Sequence, residues 1–310
     1  MRNLLEEQDY IPHFSGHETF TLRQMWLKKA FSARNGDVVP KSIFTDDSSI
    51  AYFGVGKNMV ASIKHWALAC GVFEEIAEDK STFHISTLWS DILRDDGLDP
   101  YCENPATSWL AHWRLAGAPS SKHRSTTWWW LFNNVLSPTF TREEIQSQIM
   151  AYATRRGAKA SEATVRRDIE ACIRSYCPKQ DAGIEDLAEP MLAELGLILD
   201  ESRGSFSFRR GPKASLPDGI LDMAVLDCWS GMSGESSLAF EALAHGPGSP
   251  GRVFKLDENS LAERLLGLET RTGGMLFWTD SSGIRQVMRK DTDQKSVKRL
   301  KERLLRGVYS

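Results

Sequence analysis

A histidine and a glutamate stand side by side near the N-terminus, in the stretch HFSGHETF at residues 13–20. A histidine can act as a general base and carboxylates can hold a divalent metal ion, which is the chemistry that a strand-nicking nuclease requires. His17 and Glu18 are therefore the candidate catalytic residues, with Mg²⁺ or Mn²⁺ as the expected metal. The pairs Asp46-Asp47 and Asp95-Asp96 are further carboxylates that such a site could use.

The same stretch also permits a purely structural role. The zinc-protease sequence HExxH is absent, and Pro12 just before the stretch and Gly16 within it disfavour a helix. In this alternative, Ser15 or Thr19 caps the first helix with Glu18 in its first turn, and His17 packs and hydrogen-bonds internally. The structural role is favoured, because no nuclease signature such as PD-(D/E)xK or HNH surrounds the pair.

The composition predicts a globular protein of a reducing compartment. Of 310 residues, 41% are hydrophobic and ten are tryptophan, enough for a large aromatic core. The five cysteines are odd in number and form no CxxC pair, which disfavours both a disulfide framework and a zinc ribbon. No apolar run reaches the length of a membrane span, and the N-terminus lacks a signal sequence. We therefore expect a cytoplasmic protein with no membrane partner.

The net charge of −3 conceals two basic regions. Residues 155–179 contain seven Lys and Arg against three acids, and residues 285–306 contain nine against three. Basic regions of this kind can bind phosphates even on a chain that is acidic overall. Double-stranded DNA is therefore a candidate partner.

The first basic helix is predicted at about residues 57–69, after the glycine-rich turn GVGKN. Its apolar positions form one stripe, which leaves Lys57, Asn58 and Lys64 as candidate DNA contacts. The turn lacks the spacing of a Walker motif, so no nucleotide cofactor is expected, and nothing in the chain indicates an organic one. The segments VFEEI and TFHIS around AEDK predict a hairpin after the helix.

A second helix is predicted after Ser161, the expected N-cap. Its apolar stripe leaves Arg166, Arg167 and Arg174 outside, as further candidate DNA contacts. A glycine, an apolar strand, a polar turn and an aromatic strand follow, as they follow the first helix. The chain therefore contains an internal repeat.

A helix followed by a β-hairpin is the second half of a winged helix, so the repeat predicts tandem winged-helix-like units. The fold class expected is mainly α with small β-hairpins, that is, α+β. Loop-like stretches at residues 116–127 and 209–219 divide the chain. We predict winged-helix-like domains at residues 1–118 and 119–212, and a helical or winged-helix-like domain with a basic tail at residues 213–310.

Six segments, in order, resemble a bacterial family originally of unknown function, the SspB-type component of the Ssp DNA phosphorothioation systems. The segments are FSGHETFTLRQMWLKKA, FGVGKNMVASIKHWALACGV, LDPYCENPATSWLAHW, TWWWLFNN, ATVRRDIEACIRSY and PGRVFKLDE. His17 and Glu18 match the family motif HETF, and Lys57 and Asn58 match GKNM. The resemblance transfers no established role to these four residues.

The resemblance implies a DNA-binding nicking endonuclease that helps to introduce sulfur into the DNA backbone as an antiviral defence. It also implies partners encoded in the same operon, namely a cysteine desulfurase, a P-loop ATPase and a PAPS-reductase-like protein. Two alternatives stay open. One is a non-catalytic DNA-binding adaptor that recruits the sulfur-transfer enzymes, and the other is a winged-helix transcriptional regulator.

Overall fold

The first part of the chain combines helices with a three-stranded antiparallel sheet. A computed structural model describes residues 3–118, 125–178, 190–230, 232, 235–281, 283–290 and 293–310. In the sheet, β3 lies between β1 and β2, and Val39 pairs with Phe83. The elements of this first unit are α1 (Trp26–Ser32), β1 (Val38–Pro40), α2 (Ser49–Phe53), α3 (Lys57–Ala69), β2 (Phe73–Ile76), β3 (Asp79–Ile85), α4 (Thr87–Leu93) and α5 (Pro105–Ala116).

The second unit repeats the arrangement of the first. Its sheet has the order β4–β6–β5, so the last strand again lies in the middle, and Phe140 pairs with Phe206. Its elements are α6 (Thr126–Asn133), β4 (Thr139–Thr141), α7 (Arg142–Arg155), α8 (Glu162–Tyr176), β5 (Ile198–Asp200) and β6 (Ser205–Phe208).

The third unit has the sheet order β7–β9–β8 and ends in a long helix. Its elements are α9 (Asp218–Asp227), β7 (Ser237–Ala239), α10 (Phe240–His245), α11 (Pro250–Val253), α12 (Glu258–Leu266), α13 (Leu268–Thr272), β8 (Leu276–Ser281), β9 (Ile284–Arg289) and α14 (Gln294–Val308). Helix, strand, helices and hairpin therefore follow one another in the same order three times.

The predicted fold class is confirmed as an α+β mixture that is about 49% helical, with three small three-stranded sheets. The predicted helix at residues 57–69 and the hairpin after it are confirmed. The sequence analysis missed β1, β4 and β7, because a strand of three residues is too short to show an alternating pattern. The winged-helix identity of the units and the three domain boundaries stay predictions.

Side-chain caps explain where several helices begin. Ser161, as predicted, caps α8 by accepting a hydrogen bond from the Thr164 N–H at 3.1 Å. Thr141 and Glu144 form a reciprocal capping box at the start of α7. The predicted cap at Ser15 or Thr19 is wrong, because the first α-helix begins at Trp26 after a turn.

One hydrophobic core runs through all three units. Four tryptophans, Trp66, Trp89, Trp109 and Trp128, are completely buried in it. The predicted loop at residues 209–219 lies between β6 and α9, whereas residues 119–124 of the other predicted loop lie outside the described part of the chain. Among the described residues, no helix combines the length and the apolar character needed to cross a membrane.

His112 of α5 shows how closely the three units are joined. Its Nδ1 accepts a hydrogen bond from the Tyr176 hydroxyl at 2.7 Å, and its Nε2 donates to the Val253 carbonyl at 2.9 Å. These two partners belong to the second and the third unit, respectively. The ring is fully buried, and burial lowers its pKa to about 3. His112 is therefore a neutral core histidine whose two ring nitrogens both have hydrogen-bond partners.

Candidate nucleic-acid interface

The HFSGHETF stretch forms a tight turn that sends adjacent side chains in opposite directions. Gly16, Glu18 and Thr19 have positive φ values of 108°, 47° and 68°, and the Phe20 N–H closes the turn on the His17 carbonyl at 2.8 Å. As a result, the His17 side chain is buried, whereas Glu18 is exposed. The two candidate catalytic residues are neighbours in sequence but do not face a common site.

Both nitrogens of the His17 ring are already engaged in hydrogen bonds. The Thr19 N–H donates to Nδ1 at 3.0 Å, which places the ring proton on Nε2, and Nε2 donates to Oδ1 of Asp168 at 2.6 Å. Asp168 lies on α8 and is completely buried, and its Oδ2 accepts a hydrogen bond from the Ser125 hydroxyl at 2.6 Å. This Ser125–Asp168–His17 network ties the N-terminal turn to the second unit.

The turn also connects two helices that carry candidate DNA contacts. The Ser62 hydroxyl of α3 donates to the His17 carbonyl, and Nη2 of Arg174 in α8 donates to the Thr19 carbonyl at 2.5 Å. A Cβ atom at Gly16 would lie only 2.6 Å from Nδ1 of His65, so the backbone needs glycine for this close approach. The turn thereby fixes the position of α3 relative to α8.

The buried pair His17 and Asp168 does not fit a metal site. A metal would need a free ring nitrogen of His17 or a free oxygen of Asp168, and hydrogen bonds occupy each of these atoms. Within the described part of the chain, no three His, Cys, Asp or Glu side chains are placed so that they could hold a metal ion. Of the other carboxylates proposed from sequence, Asp95 binds Nζ of Lys28 at 2.7 Å, and the rest are exposed. The catalytic role of His17 and Glu18 stays a prediction.

Helix α3 presents one narrow stripe that is not buried. Lys57 and Asn58 are exposed at its first turn, and Lys64 is half-buried two turns later. Lys57 and Lys64 are seven residues apart, so they lie on the same face of the helix. The opposite face is in the core, with Ile63 and Trp66 completely buried. The predicted polarity of this helix is thus confirmed.

Helix α8 has the same arrangement. Arg167 is exposed and Arg174 is half-buried, again seven residues apart, with Arg166 exposed beside them. Glu170 lies between the two arginines on this face. Because Arg174 also binds the Thr19 carbonyl, it has a structural contact that the sequence did not reveal.

The third unit differs from the first two. Its corresponding helix, α12, exposes Glu258 and Glu263. Glu258 contacts His245 Nε2 at 3.0 Å and Arg285 Nη2 at 3.5 Å. The six candidate DNA contacts all lie on α3 and α8, and we refer to them together as the α3/α8 face: Lys57, Asn58, Lys64, Arg166, Arg167 and Arg174.

Sequence reasoning missed Asp168, Ser125 and Ser62, which hold the HETF turn in place. Asp168 is 151 positions from His17, and its neighbours in sequence give no sign of the contact. The one available signal is that a charged residue falls next to the apolar stripe of α8, where burial requires a partner.

The chain resembles proteins of one family along almost its whole length. The sequence model of the family described as "Protein of unknown function (DUF4007)" matches residues 14–309. Two solved structures, "Magnesium ion-bound SspB crystal structure" and "SspB crystal structure", each have 26% sequence identity and a TM-score of 0.84. In each case the match covers 99% of this chain and 91% of the other. No curated protein matches the chain. The resemblance indicated by the six sequence segments is confirmed.

Proposed function

Because this chain belongs to the family described as "Protein of unknown function (DUF4007)" and shares its fold with SspB, we propose that it is the DNA-binding component of a bacterial DNA phosphorothioation system. Such a protein acts on DNA in the cytoplasm, as part of an antiviral defence. The observation that carries the proposal is the α3/α8 face, where two helices of equivalent position present cations at the same seven-residue spacing.

The arrangement of each unit supports duplex DNA as the ligand. We propose that the units are winged-helix-like, since each has a strand, helices and a hairpin in the same order and the same sheet topology. Winged helices insert a helix into the major groove, and their flanking cations contact phosphates. On α3 and α8, the exposed residues are the ones that such a docking mode places against DNA. The HETF turn sets the relative position of the two helices.

Binding measurements on variants of the α3/α8 face test the proposal. We expect Lys57→Ala/Lys64→Ala and Arg166→Ala/Arg167→Ala each to weaken duplex binding about tenfold in fluorescence anisotropy. A variant that makes fewer phosphate contacts releases fewer counterions on binding. Each lost contact therefore makes the negative slope of log K against log salt shallower by about 0.9.

The matched control is Arg94→Ala/Arg285→Ala. It removes two cations from outside the face, where they already lie near carboxylates. If the control weakens binding as much as the two α3/α8 variants do, the binding reflects general charge and the proposed interface is wrong.

Strand nicking is the second candidate function. The observation that favours it is a structure of similar fold described as magnesium-ion-bound SspB. Glu18 is the cleaner residue for a test, since it is exposed and its substitution leaves the buried network intact. Substitution of His17 would also disrupt the buried hydrogen-bond network, so a loss of nicking by that variant could have either a catalytic or a structural cause.

A supercoiled-plasmid assay with Mg²⁺ or Mn²⁺ separates the two candidate functions. If the wild type nicks the plasmid and Glu18→Gln does not, while both bind DNA equally, Glu18 belongs to the nicking site. If the wild type binds DNA without nicking it, the adaptor and the transcriptional regulator are the functions that remain. The cysteine desulfurase, the P-loop ATPase and the PAPS-reductase-like protein are then the partners to test for direct association.

A further inference from the structure

A small basic cavity lies in the third unit, away from the helix that corresponds to α3 and α8. It is an open depression of about 400 Å³, lined by the turn between α13 and β8 and by one side of α14. The turn contributes Gly273 and Gly274, and α14 contributes Arg299 and Arg303. Of the described residues that line the cavity, two are cationic and none is acidic. This concentration of positive charge is notable on a chain of net charge −3.

The cations approach the two glycines closely. A Cβ atom at Gly273 would lie 3.2 Å from Nη1 and 3.3 Å from Nη2 of Arg303. A Cβ atom at Gly274 would lie 3.8 Å from Nζ of Lys290, at the end of β9. Both glycines have positive φ values, 62° and 76°, which other residues adopt with strain. The turn therefore brings three cationic side chains to one place.

Side chains, and not the backbone, are available to a ligand here. The Gly273 N–H donates to the Thr270 carbonyl at 3.2 Å, and the Gly274 N–H donates to the Glu269 carbonyl at 2.8 Å. Among the described residues, Arg303 makes one long hydrogen bond, from Nη2 to the Arg271 carbonyl at 3.4 Å. A guanidinium has five N–H donors in a planar fork that matches two phosphate oxygens, so most donors stay available.

We propose that this glycine–arginine cradle, formed by Gly273, Gly274, Arg299 and Arg303, binds a phosphate group of a DNA strand. The assignment to DNA rests on the proposed function and on the surroundings of the cradle. Lys295, Arg299, Arg303 and Arg306 follow one another at spacings of four, four and three along the outer face of α14, opposite the buried leucines of the helix. With a rise of 1.5 Å per residue, this ridge is about 16 Å long, which spans several phosphates of one strand.

DNA binding by substituted full-length protein tests the cradle. We expect Arg299→Ala/Arg303→Ala to weaken duplex binding about tenfold and to lower the salt slope by about two. Gly273→Ala keeps every charge, but its methyl group displaces the Arg303 guanidinium, so it should weaken binding severalfold. Arg299→Lys/Arg303→Lys keeps the charge but lacks the planar guanidinium groups that bind two phosphate oxygens at once. Its affinity for DNA should lie between those of the wild type and of the alanine variant. Arg94→Ala/Arg285→Ala is again the charge-matched control.

Inorganic phosphate distinguishes the two sources of a phosphate group. If the arginine variant binds DNA as the wild type does but loses thermal stabilisation by inorganic phosphate, the cradle takes a free phosphate and the DNA assignment is overturned. If neither measurement changes, there is no phosphate site, and if Gly273→Ala binds DNA normally, the turn takes no part in DNA binding. These results are independent of the α3/α8 variants, so the cradle and the proposed function can fail separately.

Discussion

At the scale of single residues, His17 illustrates how burial decides between chemistry and structure. A histidine beside a glutamate is a reasonable catalytic pair in sequence, but the turn places one side chain inside and the other outside. The buried ring donates to Asp168, which also accepts from Ser125. A buried carboxylate of this kind is stable only while its partners are in place.

Asp168→Ala should therefore destabilise the protein by about 3 kcal/mol, because it leaves the buried His17 N–H and the Ser125 hydroxyl without an acceptor. Ser125→Ala removes one of the two hydrogen bonds and should cost about 1 kcal/mol. Urea denaturation gives both values. In a double-mutant cycle, His17→Ala and Asp168→Ala should be strongly non-additive. Additive effects would mean that the two side chains do not interact in solution.

At the scale of elements, local sequence explains where helices begin. In the capping box of α7, the Glu144 N–H donates to Thr141 Oγ1 at 3.2 Å, and the Thr141 N–H donates to Glu144 Oε2 at 2.8 Å. These bonds satisfy two backbone donors that a helix end otherwise leaves free. The start of α7 is thus marked by Thr141 and Glu144, two residues only three positions apart in sequence.

Thr141→Ala should lower the free energy of unfolding by about 1 kcal/mol, the usual value of an N-cap. Thr154→Ala is the matched control on the same helix. The Thr154 hydroxyl donates to the Met150 carbonyl one turn earlier, a bond that does not stabilise helices, so this change should have little effect. Equal effects of the two substitutions would show that the cap does not stabilise the helix.

At the scale of the whole molecule, the three units behave as parts of one core. His112 of the first unit contacts the second unit through Tyr176 and the third through Val253. Because burial holds its pKa at about 3, the folded protein keeps this ring neutral where the unfolded chain protonates it. The contribution of His112 to stability is therefore complete above pH 6.5, the ordinary value, and declines as the pH falls towards 3.

His112→Gln should flatten the pH dependence of unfolding. Between pH 6.5 and pH 4, His112 removes up to about 1.4 kcal/mol of stability from the wild type per pH unit, and the variant lacks this contribution. The variant will be less stable at pH 7, so the informative quantity is the difference in slope between the two proteins in denaturation series. Parallel slopes would show that His112 does not remain neutral in the folded state.

The sequence by itself determined the elements that depend on near neighbours. The helix at residues 57–69, the Ser161 cap and the two stripes of cations on α3 and α8 could be predicted, because periodicity and capping act within a few positions. The basic tail that the charge count indicates forms α14, in which Leu300 and Leu304 are buried.

Only the tertiary structure decided which of these elements meet. The pairing of His17 with Asp168 and the closure of each sheet by a three-residue strand join distant segments. The depression that Gly273 shares with Arg299 and Arg303 likewise joins the turn before β8 to α14. Such contacts depend on the packing of the whole chain. The free energy of that packing cannot be inferred from a short window of sequence. The hydrogen bonding of the His17 ring was therefore determined by a residue on another unit.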